Sequence, residues 1–264
     1  MKHLLTIAGF DPCGGAGIQA DLKTFHDTGN YGLSVTTALT VQNTKKVYDT
    51  QVIESQFVYN QLIALKEDVR IDGIKIGMLG NSDIAKTVIR FLDEDWETKP
   101  RVIIDPVMIS SSGFKLLDDE GIELLIKELF KRAFLITPNL DEAEFILERK
   151  IVDLEDAKKA VLMFKDMGID NVLLKGGHLD GAPTDILMYD SEIHVFEGRR
   201  IKKTSTHGTG CTLSSAITSY LASGMSLPEA VEKSKQYVAK GIETGIEIGN
   251  GKNPLNHFQN YRRA

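Results

Sequence analysis

The sequence has few residues of several kinds, and each shortage argues against a class of protein. Cys13 and Cys211 are its two cysteines in 264 residues, too few for a disulfide framework and without the spacing of a zinc site. Basic residues number 31 against 37 acidic ones, which argues against a nucleic-acid-binding surface. No apolar run approaches the roughly 20 residues of a membrane span. We therefore expect a cytoplasmic protein with reduced thiols that binds neither nucleic acid nor membranes.

Short apolar segments rich in β-forming residues alternate with amphipathic helical segments. The predicted strands are residues 3–8, 34–41, 73–77, 101–105, 134–137 and 171–175, followed by a hairpin of 184–189 and 193–197. The predicted helices are residues 16–28, 55–69, 82–94, 118–132, 140–148, 154–167, 210–223 and 227–246. This order predicts one α/β domain over residues 1–264, with a mainly parallel sheet between helices. Ligands of such sheets bind beyond the carboxyl ends of the strands.

Residues that could bind a ligand follow the first four predicted strands. A glycine-rich segment, residues 13–17, could hold an anion on its amide groups or simply let the chain turn. The Gln42 amide could pair with the amino group and adjacent ring nitrogen of an aminopyrimidine, or face water. Met78 could pack on an aromatic ligand or fill the core. Asp105 could serve a metal ion or proton transfer, or cap a helix.

The last two parallel strands are followed by groups suited to phosphate and magnesium. Asn139 and Glu142 stand three residues apart at a helix start, which fits either a capping box or a Mg²⁺ site completed by water. Lys175 closes a strand and precedes two glycines. Its ammonium group could reach the surface or meet a phosphate.

The segment His-Gly-Thr-Gly-Cys, residues 207–211, leads into a predicted helix. Consecutive amide groups and the helix dipole would make an anion hole there. A thiol in the first turn should have a lowered pKa, so Cys211 is a candidate base or nucleophile. The alternative is a small buried side chain in a tight turn.

Seven ordered segments resemble the hydroxymethylpyrimidine and hydroxymethylpyrimidine-phosphate kinases of thiamine biosynthesis, members of the ribokinase-like superfamily. They are TIAGFDPCGGAGIQADLKTF, TALTVQNT, KIGML, DPVM, TPNLDEAE, LLKGGH and HGTGCTLSSAI. The resemblance runs from about residue 4 to residue 257. It implies a three-layer α/β/α ribokinase-like fold, use of ATP and Mg²⁺, and a homodimer. The implied reaction transfers the γ-phosphoryl group of ATP to a hydroxymethyl group and then to the resulting monophosphate.

The resemblance also assigns roles to individual positions. The pyrimidine pocket would be formed by Gly9, Ala16, Asp21, Gln42, Met78, Val107 and Cys211. ATP and Mg²⁺ would be served by Asn139, Glu142, Lys175 and Asp105, with Glu142 and Asp105 reaching the metal through water. The anion hole would be formed by Gly208, Thr209, Gly210 and Cys211. The sequence departs from the pattern at Phe10, Cys13 and Asn253, where relatives often carry Ser or Thr, Ser, and Gly respectively.

Three other functions stay open at this point. A pyridoxal or pyridoxine kinase would share nearly all of these motifs, although a Gln42 amide suits an aminopyrimidine better than pyridoxal. A thiol hydrolase would use Cys211 as nucleophile, activated by His207 or His178. A nucleotide-binding regulator without activity is the third, although no motif position is lost in a way that favours it.

Overall fold

The computed structural model describes residues 1–110, 113–177, 182–201, 203 and 205–260. Within these ranges a single sheet contains nine strands in the order β3-β2-β1-β4-β5-β6-β7-β8-β9. The strands are β1 (His3–Phe10), β2 (Tyr31–Gln42), β3 (Val47–Val52), β4 (Gly73–Ile76), β5 (Arg101–Ile104), β6 (Leu135–Ile136), β7 (Val172–Leu174), β8 (Thr184–Tyr189) and β9 (Glu192–Glu197).

The centre of the sheet is parallel, and its edges are antiparallel. Strands β2, β1, β4, β5, β6 and β7 run in one direction. Strand β3 runs against β2, and the hairpin of β8 and β9 is added antiparallel to β7. The central strands are apolar throughout because both of their faces are covered. The predicted, mainly parallel sheet is confirmed.

Helices cover the sheet on both faces. They are α1 (Gly17–Asp27), α2 (Ser55–Asp68), α3 (Ser82–Leu92), α4 (Asp119–Leu124), α5 (Leu140–Leu147), α6 (Leu154–Asp166), α7 (Thr209–Ala222) and α8 (Leu227–Glu243). Successive residues of one strand point to opposite layers: Ile104 packs in the core with α2 to α6, whereas Ile103 packs in the core with α7 and α8. The three-layer α/β/α architecture is therefore confirmed.

Two parts of the fold differ from the sequence prediction. The edge strand β3 was not predicted, because its alternating residues are polar or exposed and no apolar face is visible in the sequence. The predicted helix 118–132 is helical over α4 only and continues as a π-helical turn, Leu125–Leu129, and a 3₁₀ turn, Phe130–Arg132. No helix in the described ranges is long and apolar enough to cross a membrane.

Candidate active site

A cavity opens at the carboxyl ends of the parallel strands, beside the first turn of α7. Every site residue predicted from the sequence except Asp21 lines it. These lining residues are Gly9, Ala16, Gln42, Met78, Val107, Asp105, Asn139, Glu142, Lys175, Gly208, Thr209, Gly210 and Cys211. Further lining residues that the sequence analysis did not assign to a kinase site include Asp11, Lys75 and His207.

Asp11 uses the amide groups of the glycine-rich segment. Its carboxylate accepts hydrogen bonds from the backbone N–H groups of Cys13, Gly15 and Ala16, at 2.9, 3.1 and 2.9 Å. Burial alone would raise the pKa of Asp11, but its bonds to His207 and to this backbone lower it overall. The amides that could have held an external anion therefore bind the chain's own carboxylate.

His207 connects Asp11 to Gln42 at the mouth of the cavity. Its Nε2 lies 2.8 Å from Asp11 Oδ2 and 3.3 Å from Gln42 Nε2. Gln42 Oε1 accepts a hydrogen bond from Thr40 Oγ1 at 3.2 Å. No hydrogen bond between His207 and Cys211 occurs in the described part of the chain, and His178 lies outside it. Among the described residues, the thiol therefore has no hydrogen bond to His207, the contact through which that histidine would activate it in a thiol hydrolase.

The N-terminus of α7 lies next to the end of β5. Gly208 has φ +81°, and a β-carbon there would collide with the Gly15 carbonyl oxygen. A β-carbon on Gly210 would lie 3.2 Å from both Asp105 Oδ2 and Lys175 Nζ. Glycine at these positions lets the helix start approach the charged groups closely. The N–H groups of a first helical turn have no acceptor within the helix, which suits them to bind an anion.

The Cys211 thiol does not have the lowered pKa that the sequence predicted. Burial raises the pKa of Cys211 to about 11, although the positive charge of Lys75 and the Gly17 backbone N–H act to lower it. The prediction was wrong because removal of the thiolate from water outweighs these favourable contacts. At neutral pH the thiol is therefore protonated and is a poor base in this environment.

Asp105 and Lys175 form an ion pair that we call the outer pair. Lys175 Nζ lies 2.7 Å from Asp105 Oδ1, and the Lys175 side chain keeps 15% of its surface exposed. Thr137 Oγ1 is 3.4 Å from the same carboxylate oxygen. The pair sits directly beside Gly210, so a phosphate bound at the helix start would meet the Lys175 ammonium group.

Asn139 and Glu142 form a capping box at the start of α5. Asn139 Oδ1 accepts from the Glu142 N–H at 2.8 Å, and Glu142 Oε2 accepts from the Asn139 N–H at 2.7 Å. The capping interpretation of these residues is confirmed. Burial and the nearby Asp105 raise the pKa of Glu142, and Lys175 opposes this effect.

Asp21 and Lys75 form a second ion pair, which we call the inner pair. Lys75 Nζ lies 2.8 Å from Asp21 Oδ2, and neither side chain is exposed. Asp21 also accepts hydrogen bonds from Thr6 Oγ1 and Ser215 Oγ, both at 2.6 Å. Asp21 thus lies one layer beneath the cavity rather than in its wall, and Lys75 is the member that lines the cavity. The sequence feature that could have identified Lys75 is its position as a charged residue inside the otherwise apolar strand segment GIKIG.

The donor set fits a magnesium ion bound largely by phosphate and water. No cluster of three or more His, Cys, Asp or Glu side chains that could hold a metal occurs in the described ranges. Asp105 and Glu142 nevertheless bring carboxylate oxygens to the same cavity. Mg²⁺ prefers hard oxygen ligands and retains several waters when it binds a nucleotide.

The three departures from the family pattern line this cavity or contact residues that line it. Phe10 lines it with 37% of its surface exposed. Cys13 Sγ contacts the Gln42 carbonyl oxygen at 3.8 Å. Asn253 Oδ1 accepts from the N–H groups of Ile248 and Gly249, and its carbonyl accepts from the His207 N–H. The C-terminal motif therefore fixes the segment that precedes α7.

Comparison with known proteins identifies relatives over nearly the whole chain. The family model described as phosphomethylpyrimidine kinase matches residues 11–256. The hydroxymethylpyrimidine/phosphomethylpyrimidine kinase of Bacillus subtilis is 42% identical, over 96% of this chain and 94% of that protein. A thiamine biosynthesis bifunctional protein of Geobacter sulfurreducens is 43% identical over 97% of this chain, which spans 52% of that longer protein.

Solved structures give the same fold with two activities. A phosphomethylpyrimidine kinase from Clostridium difficile superposes with a TM-score of 0.80 at 44% identity, covering 92% of this chain and 100% of the other. The Staphylococcus aureus pyridoxal kinase in complex with AMP-PCP superposes with a TM-score of 0.88 at 33% identity, covering 99% and 95%. The predicted ribokinase-like fold and family are confirmed: the chain belongs to the phosphomethylpyrimidine kinase family.

Proposed function

We propose that this protein transfers the γ-phosphoryl group of ATP to 4-amino-5-hydroxymethyl-2-methylpyrimidine and then to the monophosphate, in thiamine biosynthesis. The observation that carries the proposal is the joining of two kinds of groups in one cavity. An amide suited to an aminopyrimidine lies at one part of it, and the start of α7 with the outer pair lies at another. The name of the Bacillus subtilis relative supports both phosphorylation steps, and the name of the Geobacter sulfurreducens relative supports a place in thiamine biosynthesis.

The acceptor end of the cavity is built around Gln42. Its amide offers a donor and an acceptor side by side, which complement the amino group and adjacent ring nitrogen of the pyrimidine. Met78 and Val107 supply apolar surface for the ring, and the Gly9 backbone is close to Met78. These residues would place the hydroxymethyl group toward Cys211.

The phosphate end would stabilise the charge that develops during transfer. Phosphoryl transfer is accelerated mainly by positioning and by preorganised positive dipoles. The amides of Thr209, Gly210 and Cys211 supply the dipoles, and Lys175 supplies a charge. Mg²⁺, when bound with ATP, would neutralise phosphate charge, and Asp105 and Glu142 would hold it through water.

Pyridoxal is the alternative acceptor, because several solved neighbours are pyridoxal kinases. Pyridoxal presents a phenolic oxygen and an isolated ring nitrogen, which a glutamine amide complements less well than it complements an aminopyrimidine. The Gln42 amide therefore favours the pyrimidine as substrate.

An ATP-consumption assay with four acceptors tests this assignment. We expect turnover of hydroxymethylpyrimidine and of its monophosphate to exceed turnover of pyridoxal and pyridoxine. Gln42→Leu should reduce kcat/KM for the pyrimidine more than for pyridoxal, because the amino group and adjacent ring nitrogen of the bound pyrimidine would lose their hydrogen-bond partner. Gln56→Leu on the exposed face of α2 is the control. Turnover of pyridoxal alone would overturn the choice of substrate, and no turnover at all would overturn the kinase reaction.

We also propose that the protein is a cytoplasmic homodimer. The resemblance to the family supports the dimer, and Val41 and Tyr48 at the β2–β3 edge are 60% and 50% exposed. Both cysteines are free, which agrees with a reducing compartment. Light scattering after size-exclusion chromatography would measure the molar mass in solution. A mass equal to that of a single chain would contradict the dimer.

A further inference from the structure

Lys75 brings a buried positive charge to the cavity. It lies on β4, its side chain has no exposed surface, and it is one of the lining residues. Its ammonium group donates a hydrogen bond to Asp21, and Asp21 also accepts one from Ser215, which lies one helical turn after Cys211. The ammonium group is thereby fixed relative to the first turn of α7.

The Lys75 ammonium group has more donors than the described protein satisfies. An ammonium group carries three N–H donors. In the described ranges its hydrogen bond goes to Asp21 Oδ2 at 2.8 Å, and that carboxylate is shared with Thr6 and Ser215. A buried donor without an acceptor is unfavourable, so the remaining N–H groups are suited to a ligand that enters the cavity.

The surroundings indicate which part of a ligand these donors would meet. A β-carbon on Gly77 would lie 2.8 Å from Lys75 Nζ, so the glycine provides the room that the ammonium group occupies. Lys75 interacts electrostatically with Cys211 and Asp105, which flank the helix start. Burial acts to lower the pKa of Lys75, but the negative charges of Asp21 and Asp105 raise it overall, so Lys75 stays protonated and acts as a donor and not as a base.

We propose that Lys75 Nζ donates a hydrogen bond to the reacting oxygen of the acceptor, a role that rests on the proposed function. This oxygen is the hydroxyl oxygen in the first step and a phosphate oxygen in the second. Lys75 is then a catalytic residue that contacts the substrate, and Asp21 is a positioning residue that acts through it.

The contact stabilises charge without moving a proton from Lys75. In the first step the acceptor oxygen bonds to the γ-phosphorus, and the bond from that phosphorus to the β–γ bridging oxygen breaks. ADP leaves with the electron pair, and the hydroxyl proton goes to a γ-phosphoryl oxygen. A fixed ammonium group beside the acceptor oxygen lowers the energy of the negative charge on it. The protonated Cys211 thiol then does not have to serve as a base.

Mutagenesis of the inner pair tests the role. Lys75→Met should lower kcat for hydroxymethylpyrimidine by about 10²–10³-fold, the usual effect of removing one preorganised donor. Since Lys75→Met leaves Asp21 buried without its partner, Lys75→Met with Asp21→Asn is the second variant and restores neutrality. ADP affinity should be unchanged in the folded double variant. Lys86→Met, at an exposed ion pair with Glu120, is the matched control. A folded double variant with wild-type kcat would overturn the proposal.

A binding measurement separates this proposal from the proposed function. The ¹⁵N signal of the Lys75 ammonium group, identified by its loss in Lys75→Met, should shift when hydroxymethylpyrimidine binds. It should not shift in the same way with 4-amino-2,5-dimethylpyrimidine, which lacks the hydroxyl group. Equal shifts with both ligands would overturn the contact while leaving the pyrimidine site intact. Binding of neither ligand would instead overturn the proposed substrate, and the role of Lys75 with it.

Discussion

The inner and outer pairs are the same two residue types at nearly the same distance, yet their surroundings differ. The nitrogen–oxygen distance is 2.8 Å in Lys75–Asp21 and 2.7 Å in Lys175–Asp105. The inner pair is closed to solvent, whereas 15% of the Lys175 side chain is exposed. Two hydroxyl groups also bind Asp21. The inner pair is therefore held by the fold on the carboxylate side, and the outer pair faces the cavity.

This difference separates the roles of the two pairs. A charge pair without exposed surface requires both partners, because removal of one leaves an uncompensated charge in the core. A pair at the wall of a cavity can exchange its partner for a ligand phosphate or for water. We therefore expect changes in the inner pair to affect folding and catalysis together, and changes in the outer pair to affect catalysis mainly.

The largest expected effect is the loss of stability when the inner pair is broken. Asp21→Asn should lower the free energy of unfolding by about 3–5 kcal/mol, because the Lys75 charge stays buried without a partner. Asp105→Asn should cost less, because Lys175 reaches solvent. Urea unfolding of both variants measures the difference. Equal losses would show that the two pairs do not differ in this way.

The second effect is on catalysis at the outer pair. Lys175→Met should lower kcat by about 10²–10³-fold, because it removes a charge aimed at the transferred phosphoryl group. Its free energy of unfolding should change less than that of Asp21→Asn. Steady-state kinetics and urea unfolding of the same preparation provide both values. A stability loss as large as that of Asp21→Asn, with normal kcat, would contradict the assignment of the outer pair to catalysis.

The sequence analysis named both residues of the outer pair, though not their contact, and only Asp21 of the inner pair. Asp105 and Lys175 both end predicted strands, where ligands of parallel sheets bind, so position alone pointed to them. Lys75 lies inside strand β4, and the sequence does not show that its side chain contacts Asp21 of helix α1. The pairing depends on α1 packing against the strands, a long-range contact. The same reason hid the Asp11–His207 contact, which joins residues 196 positions apart.

The prediction of a lowered pKa for Cys211 was wrong for a related reason. The sequence shows the helix start, which favours a thiolate, but it does not show how much water reaches the sulfur. Burial of the thiol is the main cause of its raised pKa, and the carboxylates of Asp21 and Asp105 raise it further. Local sequence therefore predicted the glycine turn and the helix that begins beside it, whose geometry is local. It did not predict the charge state, which is set by distant residues.

The smallest expected effect is a pH dependence of stability at Glu142, beside the outer pair. The folded-state pKa of Glu142 is raised, so its contribution to stability is present below the unfolded value, about 4.3, and is lost as pH rises toward the folded value. Glu142→Gln removes this titration and keeps a side chain that can complete the capping box. The thermal midpoint of Glu142→Gln relative to the unsubstituted protein should therefore increase from pH 5 to pH 8.

Glu144 on the same helix provides a control of opposite sign. Its pKa is lowered by the hydrogen bond from the Ile151 backbone and by the Lys150 ammonium group. Glu144 therefore contributes stability above its unfolded pKa, and this contribution is lost as pH falls. As pH rises through the acidic range, the thermal midpoint of Glu144→Gln should therefore decrease relative to that of the unsubstituted protein. Parallel curves for the two variants would show that the buried position beside the outer pair does not set the Glu142 charge.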